Sequence, residues 1–150
     1  MSLHALALVL VALLAGAIIS VQAPINAMAA VRLGHPLGAA TLSFVAGTVC
    51  LIALTLTTAW GKVAWGVIPT LPPVLFLGGV LGAMYVTMAI VLTPMLGVGA
   101  VIALGIGGQV VASLLLDHYG LLGLAVREIT AGRVAGAAMV VAGALMVRFL

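Results

Sequence analysis

The chain has 150 residues, is 66% hydrophobic and 5% charged, and carries a net charge of +3. Soluble domains are about one-quarter charged, so this composition excludes a water-soluble globular fold; it leaves room for about five membrane spans and almost no extramembrane domain. There is no basic cluster to track phosphates, which argues against nucleic acid as a partner, and the single cysteine, Cys50, rules out a disulfide framework.

The first apolar run covers residues 3–31. It lacks the Lys/Arg start of a signal peptide and is longer than the usual apolar region, so it is expected to be retained as a span. Within it Gln22 and Asn26 stand four apart and share a helix face. Between them Pro24 has no N–H, which leaves the carbonyl of Ser20 without its helical donor. Two amides, a freed backbone acceptor at Ser20 and a hinge at Pro24 mark this helix as a candidate wall of a binding site. The simpler alternative is that the amides bond a neighbouring helix as packing contacts.

The second span is expected over 37–60, with Trp60 and Trp65 flanking Lys62 where the chain meets the headgroup region. The hydroxyls of Thr41, Ser43, Thr48 and Thr55 can bond backbone within their own helix. Pro69, Pro72 and Pro73 precede the third span, over 71–93, with Thr70 as its expected N-cap. Gly78, Gly82, Tyr85 and Ala89 align on that span. Small residues there permit close helix approach, and Tyr85 is a candidate to stack on a substrate or simply to pack. Met84 and Met88 read as gap fillers.

Pro94 and Gly97 are expected to make a tight turn into the fourth span, over 98–118. Its polar stripe is Gly105, Gln109, Ser113 and Asp117, with Gln109 deep and Asp117 at a solvated helix end or a cavity mouth. Gly120 suits the position just past the helix. Thr130 opens the fifth span, over 130–149, where Gly132, Gly136 and Gly143 fall on one broad side and read as a subunit interface.

An odd number of spans puts the termini on opposite faces. Lys62, Arg127 and Arg133 flank one side and Arg32 and Arg148 the other, a weak bias under the positive-inside rule. By charge alone, a fixed orientation with a cytoplasmic N-terminus and insertion in both orientations are equally open. Two opposed copies would supply the pseudo-two-fold that transporter folds use. No carboxylate sits in mid-span, as proton-coupled export of cations would require. There is no metal-ligand cluster, nucleophile elbow, paired carboxylate or P-loop, so neither catalysis, a metal nor a cofactor is expected.

Several stretches together resemble the YdcZ family. They are Gln22-Ala23-Pro24-Ile25-Asn26-Ala27, Gly34, Ser43-Phe44 with Gly47-Thr48, and Gly78 to Ala83 with Tyr85-Val86-Thr87. Pro94-Met95-Leu96-Gly97, Gly108-Gln109 and Ser113 to Gly120 complete the set, in order over essentially the whole chain. The resemblance implies membership of the drug/metabolite transporter superfamily, five-helix units that pair antiparallel, and an exporter in the bacterial inner membrane. In the related small multidrug resistance proteins the first helix carries an essential glutamate; the corresponding stretch here offers Gln22 and Asn26.

The expectation is therefore an all-α polytopic membrane protein forming one five-helix transmembrane domain over 1–150. It pairs as an antiparallel homodimer into a ten-helix inverted-repeat transporter. A small, neutral or amphipathic substrate would meet Gln22, Asn26, Tyr85, Gln109 and Ser113 and move by alternating access. A passive channel built from opposed copies, or a membrane assembly subunit without transport of its own, are the other readings of the same residues.

Overall fold

A computed structural model describes residues 3–150. It is 86% helix, with no strand among the described residues. Five helices, α1 (Leu3–Leu33), α2 (Pro36–Thr58), α3 (Leu77–Leu96), α4 (Val98–Tyr119) and α5 (Ala131–Phe149), are all long and apolar enough to cross a bilayer. Short 3₁₀ turns occupy Trp65–Thr70, Pro73–Phe76 and Leu121–Gly123.

The burial pattern is that of a lipid-solvated chain. The buried apolar residues are small, mostly alanines such as Ala23, Ala39, Ala40, Ala100, Ala137 and Ala144, whereas leucines, valines and methionines lie exposed along every helix. In water such a surface would drive aggregation; in a bilayer it is solvated, and small residues let helix backbones approach.

The chain divides into two compact units, one up to Val91 and one from Leu92. In the first, α1 and α2 are joined only by Gly34 and His35, so they run antiparallel as neighbours. His35 caps α2: its Nδ1 accepts from the Leu37 amide at 3.2 Å, and Pro36 takes the first helical position. Ala29 and Ala30 of α1, Ala39 and Ala40 of α2, and Val86 and Ile90 of α3 pack as one cluster. Beside it Gly82 leaves room for Phe44, whose Cζ would lie 3.6 Å from an added Cβ.

In the second unit α4 and α5 form a hairpin. Gly107 lies against Val141, with 3.5 Å from an added Cβ to Val141 Cγ2, and Gly99 lies against Val147. Gly120 ends α4 with φ 58°, its N–H reaching back to Leu116 and Asp117 carbonyls. A Cβ there would sit 2.7 Å from Val126 Cγ2, so both the conformation and the space require glycine. Thr130 caps α5 as expected, accepting from the Arg133 amide.

Two local expectations are corrected. Thr70 is not the N-cap of the third span: it ends a 3₁₀ turn, and its hydroxyl donates to the Val67 carbonyl at 2.7 Å. Leu71, ahead of Pro72, is held extended, so helical structure restarts only at Pro73. Nor does Pro94 turn the chain. α3 runs through it to Leu96, and the break comes at Gly97 with φ 83°. A proline in the last turn removes a single donor, to the Ile90 carbonyl, and the helix absorbs that loss near its end.

Candidate functional site

The inward face of α1 is built at a spacing of three to four residues. Ala23 and Asn26 are buried, Asn26 at 5% exposure, with Gln22 and Ala30 partly buried on the same side. Asn26 lies seven residues from the end of α1, about 10 Å into the span at helical rise. The Gln22 amide Nε2 donates to Ser43 Oγ on α2 at 3.5 Å. In the antiparallel register that this contact sets, Asn26 is level with Ala39, the most buried residue of the core. α1 stays helical through Pro24. Ser20, whose carbonyl has no donor from Pro24, turns its hydroxyl to the Gly16 carbonyl at 2.8 Å.

Tyr85 is half-buried on α3 in the same unit. A groove of this unit lies between α2 and α3, with a volume of about 450 Å³. It is walled by Leu37, Ala40, Thr41, Phe44, Val45, Thr48 and Val49 on one side and by Ala83 and Thr87 on the other. Thr87 spends its hydroxyl on the Ala83 carbonyl. Gln22, Asn26 and Tyr85 do not line this groove. The sequence signal for the groove was the i, i+7 pair Thr41 and Thr48 with Phe44 between them, too weak alone to mark a cavity wall.

In the second unit Gln109 and Ser113 are exposed on α4. The Ser113 hydroxyl donates to the Val110 carbonyl at 2.8 Å. The α4–α5 groove, about 440 Å³, is lined by Gly107, Gly108, Val111, Ala112 and Ala144 among others, and neither Gln109 nor Ser113 borders it. They stand on a face of α4 turned away from α5. On α5, Gly132, Gly136 and Gly143 meet nothing within 4 Å of an added Cβ, while Ala137, Val141 and Ala144 face inward.

Asp117, in the last turn of α4, is partly exposed but is not a free charge. It pairs with Arg133 of α5, both side chains about one-third exposed or less. Arg133 Nη1 also donates to the carbonyls of Glu128 at 3.3 Å and Arg127 at 3.5 Å, and the Arg127 amide donates to the Asp117 carbonyl at 2.9 Å. One guanidinium thus clasps the 120–130 loop to both flanking helices. His118 meets Tyr119 edge to face at 4.9 Å. Among the described residues no group of His, Cys, Asp or Glu could hold a metal. Away from the helix ends, the polar groups within the spans are chiefly amides and hydroxyls, which suit hydrogen bonding.

A family model described as "Putative inner membrane exporter, YdcZ" matches residues 7–146. Neither the curated proteins nor the solved structures yield a match.

Proposed function

The chain belongs to the YdcZ family of inner membrane exporters, and from that premise we propose that it carries a small uncharged or amphipathic molecule out across the bilayer as an antiparallel homodimer. The observation that carries the reading is the amide face of α1. Gln22 and Asn26 sit on its inward side, and Asn26 is buried about 10 Å from the helix end. Polar groups at that depth are costly, and they default to substrate contacts or interhelical bonds. Gln22 has such a bond to Ser43, weak at 3.5 Å and therefore easily exchanged for a ligand. Tyr85 supplies an aromatic surface in the same unit.

Two features support pairing with a second copy. Gln109 lies exposed at the middle of α4, where a primary amide is poorly solvated by lipid. The Gly132, Gly136 and Gly143 side of α5 is uncovered, and small-residue stripes are the usual contact between membrane helices. Near-balanced flanking charge lets the two copies take opposite orientations, and rocking of one against the other would give alternating access. The family description, an inner membrane exporter, supports reading the chain as a transporter.

The test is flux in liposomes, with substrates first found by a thermal-shift ligand screen. Gln22→Ala and Asn26→Ala are expected to cut transport at least tenfold while leaving dimer mass unchanged. Undiminished flux in both variants would remove α1 from the binding wall.

A further inference from the structure

The connection between α2 and α3, residues 59–76, is far longer than the turn requires. α1 and α2 are joined by two residues and α3 and α4 by one, so 18 residues here must lie somewhere. A loop projecting into water is polar. This one, Ala-Trp-Gly-Lys-Val-Ala-Trp-Gly-Val-Ile-Pro-Thr-Leu-Pro-Pro-Val-Leu-Phe, has one charge and one hydroxyl. Its large side chains are not folded under the protein: Trp60 is 71% exposed and Trp65 53%, and Val67, Ile68, Leu75 and Phe76 are exposed as well.

The backbone satisfies much of its own polarity. Two 3₁₀ turns and the bonds Lys62 N to Ala59 O, Val67 N to Ala64 O, Leu71 N to Ile68 O and Leu75 N to Pro72 O, all at 3.0–3.2 Å, pair donors locally. Pro69, Pro72 and Pro73 have no N–H to satisfy. Such a backbone tolerates a water-poor zone. Full burial in hydrocarbon is opposed by Lys62, whose Nζ reaches the Thr58 carbonyl at 3.3 Å at the end of α2. Both ends of the segment run into membrane-spanning helices, so the surface available to its apolar side chains is the bilayer itself.

We infer that residues 59–72 form an in-plane interfacial anchor ahead of the span that begins at Pro73: a segment lying in the headgroup layer, with Trp60, Trp65 and Ile68 in the upper acyl region and Lys62 at the level of lipid phosphates. Its partner is the phospholipid surface. The inference rests on membrane location and is independent of what the protein transports. An apolar segment with tryptophans and a snorkelling lysine partitions to that depth.

The chain has only two tryptophans, both in this segment, so native fluorescence reports on it directly. The full-length protein is reconstituted in phosphatidylcholine vesicles whose acyl chains carry bromine either near the headgroup or near the chain end, in both leaflets. Trp60→Phe leaves Trp65, well away from the helix end, as the sole emitter. The expected result is strong loss of Trp65 emission with shallow bromine, a smaller loss with deep bromine, and little quenching by acrylamide. Quenching by acrylamide at the level of free tryptophan would place the segment in water and overturn the inference. Insensitivity to both bromine positions would mean that protein covers it, and stronger quenching by deep bromine that it enters the core; either result also overturns it. If Trp60→Phe fails to reconstitute, the unsubstituted protein is measured for both residues together. Quenching dominated by shallow bromine there supports the anchor, and dominance of deep bromine or an acrylamide-accessible fraction overturns it.

Discussion

Arg133, in the first turn of α5, closes on Asp117, in the last turn of α4, and in doing so brings the two ends of the 120–130 loop together. The pair does more than neutralise two charges. The same guanidinium satisfies the carbonyls of Arg127 and Glu128, and the Asp117 main chain holds the Arg127 amide. Two carbonyls of the loop and the Asp117 carboxylate therefore depend on one side chain.

Because the pair is partly exposed, its own contribution is modest, about 1 kcal/mol. Arg133→Ala should nonetheless cost more than Asp117→Asn, since it also strips two carbonyls of their donor. Thermal unfolding in detergent should rank the variants in that order. The charge-reversed double variant Asp117→Arg with Arg133→Asp should recover part of the pair energy and none of the loop bonds. Equal losses from the two single variants would show that the carbonyl contacts contribute nothing.

The glycines of α4 and α5 make opposite predictions. Gly107 is packed against Val141, at ordinary contact distance from an added Cβ, so Gly107→Ala should be nearly neutral. Gly107→Leu should overpack the hairpin and lower monomer stability by about 1–3 kcal/mol. Gly136 and Gly143 face open space, so Gly136→Leu and Gly143→Leu should leave the monomer unaffected. They should weaken self-association by a similar amount, roughly tenfold or more in dimer Kd. Oligomer mass in detergent beside thermal unfolding separates the two effects, and unchanged mass in both α5 variants rejects that face as the interface.

Orientation is the third prediction. In a Cys50→Ala background, Leu150→Cys should label from both sides of intact membrane vesicles, as opposed copies require. Adding one positive charge with Thr70→Lys raises the bias on the side that already carries Lys62, Arg127 and Arg133, and should shift labelling toward a single orientation. One-sided labelling of the unshifted protein would show a fixed topology.

Much of the fold was legible in the chain because membrane helices are specified locally. Runs of about 20 apolar residues can do little but span, and Thr130 and Gly120 punctuate them by chemistry that acts within three or four residues. Thr70 fails as a cap for an equally local reason: two prolines follow at short range and impose extended backbone before the helix can start. The His35 cap is not legible in the sequence, because a ring nitrogen is a less usual acceptor than a serine or aspartate oxygen.

The candidate site was less legible. The period of Gln22 and Asn26 marks a shared face, but not whether Ser43 or open space stands opposite it. Asp117 reads from its surroundings as a solvated end; its partner is 16 residues away, across a loop whose path the spacing does not reveal.

By itself, then, the sequence determined that this chain lives in a membrane as five helices, where α4 begins and ends to within a residue, and which helices carry amides. Hydrophobicity and backbone satisfaction decide those matters within each segment, without reference to its neighbours. Only the tertiary structure decided that Arg133 holds Asp117, that Gln22 reaches Ser43, and that Gly107 is filled while Gly136 and Gly143 stay bare. Those outcomes depend on how each helix is rotated about its own axis against the next, and in lipid that rotation is set by side-chain packing between residues distant in sequence rather than by the apolar pattern of any one span.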